Sequence, residues 1–342
     1  MQVNIITNYK GWFYSSIALY KKNILSMNMD KLKQYANEEE IELNFVTYPE
    51  IDATKDCSGQ FFIYTSSEDP GLNYKGYMED VLYGIKLKGG TLIPEWRYMR
   101  AHHNKVMMEK LRDIELAGID TGIRSNYYGC NEEFYKEIDD IVFPCVFKAA
   151  EGAGSKGVAL LQDKESARTF LDKVNCKHRY TLKEKLYLKI GRKKPSLYSR
   201  FCNKFVVQNF VPNLDGDFKV LIFGNKYYAL SRANRDNDFR ASGGGRLNYE
   251  PVLPDGIFDF AKSVFDALNV PVLSLDIAYD GSRFFLIEFQ CLNFGTATLE
   301  NSTHYFMLDN GRWIRKEGKS DLEKEFVSAL YHYIQINYPH AI

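Results

Sequence analysis

Strand-like and helix-like runs alternate from the first residues of the chain. Val3–Thr7, Leu43–Thr47, Phe61–Thr65 and Thr91–Pro94 read as strands, with helical stretches such as Met29–Glu40 and Tyr77–Leu87 between them. The second of these helices stops at Gly89-Gly90. Alternation of this kind predicts a parallel sheet. Ala101–Leu116 then places Val106, Met107, Leu111, Ile114 and Leu116 near helical spacing, with Gly118 closing the run. A short acidic helix is predicted over Glu132–Asp139, a strand over Ile141–Lys148, a second strand over Val158–Leu161 and a helix from Asp163. From there the chain is strand-rich, and Phe205–Val211, Asp217–Phe223 and Lys226–Arg232 suggest a meander. Ile257–Leu268 reads as a helix. Ser274–Tyr279 and Phe284–Gln290 flank Asp280-Gly281, the turn chemistry of a hairpin. Asp321–Ile336 reads as the last helix.

The expected class is therefore α/β (α+β). Three parts are expected: residues 1–98 as a small α/β domain, 99–204 as a central lobe and 205–342 as a C-terminal lobe. A chain of 342 residues can bury cores in each. Lys plus Arg and Asp plus Glu are both 44, so no global attraction to a polyanion follows, and nucleic acid is not an expected partner. One segment departs from this balance. Residues 173–204 contain eleven Lys and Arg against Glu184 as the one acid, which reads as a solvated face or as a wall toward an acidic substrate. The six cysteines are scattered without metal spacing. Cys145 and Cys202 lie in or beside apolar strand-like runs, so buried free thiols are expected there. The first residues lead straight into a strand-like run rather than a signal segment, and no apolar run reaches membrane-spanning length. A cytoplasmic setting fits both features.

Two constellations carry candidate chemistry. Glu288 and Gln290 share one face of their strand, and a hairpin about Asp280-Gly281 puts Asp276 opposite that strand. Three oxygen ligands together suit Mg²⁺ held mainly through substrate phosphates. Upstream, Lys148 ends a strand and is followed by Gly152-Ala153-Gly154-Ser155-Lys156-Gly157. This G-x-G-x-x-G runs into another strand rather than a helix, which argues against a dinucleotide site, and the G-K-[ST] ending of a Walker loop is absent. Neither Asp238-Phe239-Arg240 nor His178-Arg179-Tyr180 fills the role of a protein-kinase motif. What remains is a glycine flap over phosphates. Its backbone N–H groups can approach an anion closely, and Lys148 and Lys156 supply point charges.

With the loop and the hairpin both in place, the order of features over about residues 91–296 resembles the ATP-grasp superfamily, and within it the ribosomal-protein-S6-glutamate-ligase-like carboxylate–amine ligases. The resemblance implies an N-terminal pre-ATP-grasp domain followed by two α+β lobes that clamp ATP. It implies that Lys148 and Gly152, Gly154, Ser155, Lys156 and Gly157 form the phosphate lysine and flap. Gln208, Asn209 and Val211, in Gln208-Asn209-Phe210-Val211, would belong to the adenine hinge, with Gln208 and Val211 bonding the base through their main chain. Asp217 would be the ribose acid and Lys105 an earlier ATP lysine. Asp276, Glu288 and Gln290 would be the metal ligands. Arg240 would neutralise charge near the γ-phosphate and acceptor, with Arg232 and Arg235 as weaker candidates. The chain departs from the pattern in two places. Gln290 stands where many members have Asn, followed by Cys291-Leu292-Asn293-Phe294-Gly295 rather than an early Pro-Gly. Ser274 stands where some relatives carry Arg.

By resemblance, the expected function is an ATP- and Mg²⁺-dependent carboxylate–amine ligase, with Mn²⁺ as the substitute metal. A carboxylate becomes an acylphosphate, an amine displaces phosphate, and ADP and phosphate are released. The carboxylate expected is that of a small molecule, an acidic carbohydrate or an acidic peptide, and family members often form homodimers or tetramers. An ATP-grasp small-molecule kinase and a non-catalytic ATP-binding scaffold are the alternatives.

Overall fold

The computed structural model describes residues 1–14, 26–52, 54–152, 157–176, 181–192, 197–236, 238–241 and 245–341. The chain divides into two compact units. Met1–His102, Leu111–Gly122 and Leu214–Ile342 form the first, and His103–Lys110 with Ile123–Asn213 form the second.

The chain begins with β1 (Gln2–Thr7), α1 (Met29–Glu38), β2 (Glu42–Thr47), β3 (Phe61–Tyr64), α2 (Asn73–Leu87) and β4 (Thr91–Ile93). The four strands are all parallel, in the order β2-β1-β3-β4. Asn28 starts α1 by accepting hydrogen bonds from the N–H groups of Asp30 and Lys31. The helix expected over 101–116 is present as α4 (Lys105–Glu115), which starts later than expected and is preceded by a separate short helix, α3 (Trp96–Ala101). His103 is left-handed at φ 52°, and Asn104 accepts from the N–H of Met107 at 3.4 Å. The Asn side chain offers the backbone a cap where periodicity alone would continue the helix.

The second unit continues with β5 (Ser125–Tyr128), α5 (Asn131–Glu137), β6 (Cys145–Ala149), β7 (Val158–Leu161), α6 (Lys164–Val174), α7 (Leu182–Lys189) and β8 (Phe205–Asn209). Its antiparallel sheet runs β5-β8-β6-β7. Tyr128, Phe134, Phe147, Leu161, Leu171 and Phe205 form its core. The strand expected from Ile141 starts only at Cys145, just after Pro144, whose nitrogen has no hydrogen to donate to a ladder. Cys145 is buried as expected, and burial pushes its thiol up to about 11, whereas Cys202 is exposed.

The chain then returns to the first unit with β9 (Gly216–Phe223), β10 (Lys226–Ala233), β11 (Leu247–Asn248), α8 (Ile257–Leu268), β12 (Val272–Tyr279), β13 (Phe284–Gln290), α9 (Ala297–Asn301), β14 (His304–Asp309), β15 (Arg312–Glu317) and α10 (Leu322–Asn337). Its second sheet has the order β13-β12-β9-β10-β14-β15, with β11 on β10. The expected meander is not formed. β8 pairs with β5 and β6 in the other unit, and only β9 and β10 make a hairpin. One apolar core joins the two sheets of the first unit, running from Val3, Ile5 and Leu32 to Leu221, Phe223, Phe326 and Leu330. Among the described residues, no helix is long and apolar enough to cross a membrane.

Candidate functional site

A row of polar side chains crosses four strands of the larger sheet. In the ladders, Arg232 of β10 faces Asp217 of β9, Lys219 of β9 faces Asp276 of β12, and Asp276 faces Glu288 of β13. Ser274 faces Gln290 one pair further along. Opposed residues share a face, so this row interrupts otherwise apolar strands. The turn is held by Asp280, whose carboxylate accepts from the N–H groups of Ser282 and Arg283, and by Gly281 at φ 95°. A bulge at Asp276/Ile277 shifts the register beyond the Asp276–Glu288 pair.

The centre of the row is a charge quartet in which Arg232 is buried and Asp217, Lys219 and Asp276 are mostly covered. Arg232 forks onto Asp217, with Nε 2.6 Å from Oδ1 and Nη2 2.8 Å from Oδ2, and Nη2 also lies 2.7 Å from Asp276 Oδ2. Lys219 Nζ donates to Ser274 Oγ at 2.8 Å and to Asp276 Oδ1 at 3.3 Å. Although burial acts against its charge, the two cations hold the Asp276 carboxyl down at about 2. Burial outweighs the fork at Asp217, whose carboxyl is raised, and the two carboxylates keep the Arg232 guanidinium charged. The cation beside Ser274 is Lys219, delivered from the neighbouring strand.

The expected metal ligands Asp276, Glu288 and Gln290 are thus brought together on β12 and β13. Gln290 Nε2 donates to Glu288 Oε1 at 3.3 Å, and both side chains are partly exposed. Hard oxygen donors on adjacent strands suit Mg²⁺. Glu288 offers its carboxylate directly, and Gln290 offers oxygen once its amide turns over. Asp276 fits on the condition that it shares its oxygens with Lys219 and Arg232. The Arg240 guanidinium folds onto Asp238, with Nη2 2.6 Å from Oδ2 and Nε 2.9 Å from both oxygens.

The second unit holds the other candidates. Lys148 lies on β6, opposite Val206 and Val158, and is buried. Lys105 opens α4, and its Nζ donates to the Gly152 carbonyl at 2.7 Å while its N–H donates to Ala150 O at 2.9 Å. The base of the flap is therefore fastened to a helix. Gly152 and Gly157 both have positive φ, 113° and 80°, and Gly157 O accepts from Ala149 N at 2.9 Å. Gly154, Ser155 and Lys156 lie outside the described residues. Gln208 sits between Ser125 and Val146 in the sheet, and its amide donates to Ser125 Oγ at 2.9 Å. Its main chain is enclosed by the ladders. The strand ends at Asn209, whose side chain accepts from Arg124 N at 2.7 Å, and Val211 lies beyond that end.

A further polar group was not anticipated. The parallel strand order β2-β1-β3-β4 reverses direction between β1 and β3, and the carboxyl ends at such a reversal are a general ligand position. At that end Ser66 Oγ lies 2.8 Å from His102 Nδ1, and Glu68 lies 3.8 Å from His102 Nε2. Ser66 and His102 are buried, whereas the Glu68 side chain is 27% exposed. Asn293, left-handed at φ 51°, accepts from Ser66 N at 3.2 Å and donates to Thr65 Oγ1 at 3.2 Å. The atypical segment after Gln290 therefore clamps the loop after β3.

This is the ATP-grasp fold. Along nearly its whole length the chain is similar to solved ligases and synthetases of that fold. It matches D-cycloserine synthetase DcsG with a TM-score of 0.57 and 11% identity, covering 97% of this chain and 99% of that one. It matches D-alanine–D-alanine ligase from Bacillus anthracis with a TM-score of 0.51 and 16% identity, covering 100% and 98%. The ATP-grasp ligase PsnB, complexed with precursor peptide PsnA2 and AMPPNP, matches with a TM-score of 0.50 and 12% identity over 96% and 97%. No family model matches the sequence, and no curated protein does.

Proposed function

We propose that the protein is an ATP- and Mg²⁺-dependent carboxylate–amine ligase that forms an amide or peptide bond through an acylphosphate and releases ADP and phosphate. The observation that carries this reading is the polar row, in which Asp276, Glu288 and Gln290 stand beside the cations Lys219 and Arg232 on a scaffold of ATP-grasp fold. Lys148 and the flap from Gly152 to Gly157 would hold the triphosphate, with Lys105 fixing the flap's base. Asn209 and Val211, at and beyond the end of β8, would meet adenine, and Gln208 would brace them through Ser125. Asp217 would reach ribose only by loosening its fork with Arg232.

Glu288 and Gln290, joined by Asp276, would hold Mg²⁺. Bound there, the ion supplies Lewis-acid polarisation of phosphate oxygens. Lys219 and Arg232 would offset the charge that develops as the substrate carboxylate attacks the γ-phosphorus, and the leaving ADP carries away the bonding electron pair. Arg240 would join them once released from Asp238. The amine then attacks the acyl carbon, phosphate leaves, and the ammonium proton must be lost. The imidazole of His102, aligned by Ser66, suits that proton transfer, and Glu68 suits an ammonium.

The names of the similar structures range from D-cycloserine synthetase to D-alanine–D-alanine ligase to a ligase complexed with a precursor peptide, so the fold leaves the acceptor open. The test is release of ADP and phosphate from MgATP in the presence of pools of amino acids, acidic sugars and acidic peptides, with Glu288→Ala as control. Release that depends on one pool and is lost in the variant supports the ligase. A phosphorylated acceptor without free phosphate would make the protein a kinase. MgATP binding with no turnover in any pool would make it a scaffold.

A further inference from the structure

The outer side of α7 carries an apolar stripe flanked by charges of one sign. Leu182 is 86% exposed, Leu186 54% and Ile190 52%, and their spacing of four residues aligns them along the helix. Lys183, Lys189 and Arg192 are exposed beside them. The one acid of the segment, Glu184, is turned back into the helix cap, where it accepts from Thr181 N at 2.9 Å and from the Thr181 hydroxyl at 3.1 Å. Both of these bonds engage the carboxylate at the start of the helix. In a chain of zero net charge, the eleven cations of residues 173–204 are a local concentration rather than a general property.

Exposure of this degree also describes shape. Side chains that line a groove are covered by its walls, whereas these three are more than half exposed among the described residues. A partner helix or peptide recognised by apolar anchors calls for a groove. A projecting stripe with cations at its margins suits the boundary of an anionic bilayer, where the apolar groups enter between headgroups and the cations meet phosphates. We propose that the outer face of α7, continued by Ile190 and Arg192, docks the protein on an anionic lipid surface. The docking is peripheral, and it does not depend on the ligase reading.

The test is co-sedimentation of the full chain with vesicles of equimolar phosphatidylglycerol and phosphatidylcholine, against vesicles of phosphatidylcholine alone. Binding to the anionic vesicles, weakened by added salt and much smaller on neutral ones, is expected. Lys183→Gln with Lys189→Gln should lower the partition by about 30-fold, from about fivefold for each cation near the surface. Leu182→Ser with Leu186→Ser should lower it at unchanged charge, while Lys262→Gln on α8 should leave it as it was. Thermal melting of each variant separates lost docking from lost folding. Absence of binding to anionic vesicles overturns the proposal. So does equal binding by the parent and the double-serine variant, which would leave charge alone at work. Retention on poly-glutamate without vesicle binding would assign the face to an acidic peptide and overturn it as well.

Discussion

Arg232→Met removes the cation that two buried carboxylates share. In the folded protein Arg232 makes three close contacts, two to Asp217 and one to Asp276, with its side chain 9% exposed. Methionine matches its length and leaves both acids facing each other with Lys219 as the remaining cation, 3.3 Å from Asp276. Removing one partner of a buried ion pair costs about 3–5 kcal/mol, and we expect the variant to lose about 3 kcal/mol near neutral pH because Lys219 stays. The pH dependence supplies the sharper test. In the parent, Asp276 is held below its unfolded value, so its contribution is present above about pH 4 and is lost as pH falls through about 2. Asp217 is raised, so its cost is present above its folded pKa and disappears below the unfolded value near 3.8. Without Arg232 both carboxyls move up. The folded variant then binds protons that the unfolded chain does not, and it regains stability as pH falls toward the unfolded value near 3.8. Urea unfolding at several pH values, with the parent alongside, measures this directly. A loss under about 1 kcal/mol, or a loss independent of pH, would show that the guanidinium does not hold these acids and would refute the electrostatic account of the row.

Lys105→Met should weaken MgATP binding about tenfold, the equivalent of one charge-assisted hydrogen bond, by freeing the Gly152 carbonyl, with little change in unfolding midpoint. Calorimetric titration with MgATP checks it, and unchanged affinity would separate Lys105 from the nucleotide. Gly216→Ala should destabilise by about 2 kcal/mol or more, because a Cβ there would collide with the backbone carbonyl of Arg232. A neutral result in thermal melting would contradict the close approach of β9 and β10 at that point. Glu68→Gln should raise KM for the amine severalfold and leave KM for ATP alone, and equal changes in both would remove Glu68 from the acceptor position.

The hairpin was legible because two signals agreed: Asp280-Gly281 set the turn, and alternation put Glu288 and Gln290 on one face. The placement of Asp276 across from that strand follows from those alone, whereas its direct pairing with Glu288 depends on the bulge at Asp276/Ile277, which neither signal announces. The quartet was not legible, because periodicity assigns a side chain to a face and is silent on which strand lies next to it. Asp217 and Lys219 alternate on β9 like any surface pair, and only the β10-β9-β12 order turns Arg232 and Asp276 toward them. The same silence produced the false meander, since β8 is close to β9 in sequence and belongs to another sheet. The β14–β15 hairpin did carry a signal in Asn310-Gly311, both residues with positive φ, in the pairing that tight hairpins favour. Ser66, His102 and Asn293 gave none, being single polar residues far apart in the chain that meet through packing.

The quartet of Asp217, Lys219, Arg232 and Asp276 sums to zero charge, and this constrains what can enter it. A free polyanion that drew Lys219 and Arg232 away would strand two carboxylates in a dry place. A free cation that drew Asp276 away would strand its two basic partners. A ligand that brings both signs at once lets every member exchange one partner for another, with no group left uncompensated along the way. If the row takes the role proposed for it, the sheet would discriminate by charge balance before any contact with base or sugar is made, accepting a metal–nucleotide pair and turning away either component alone.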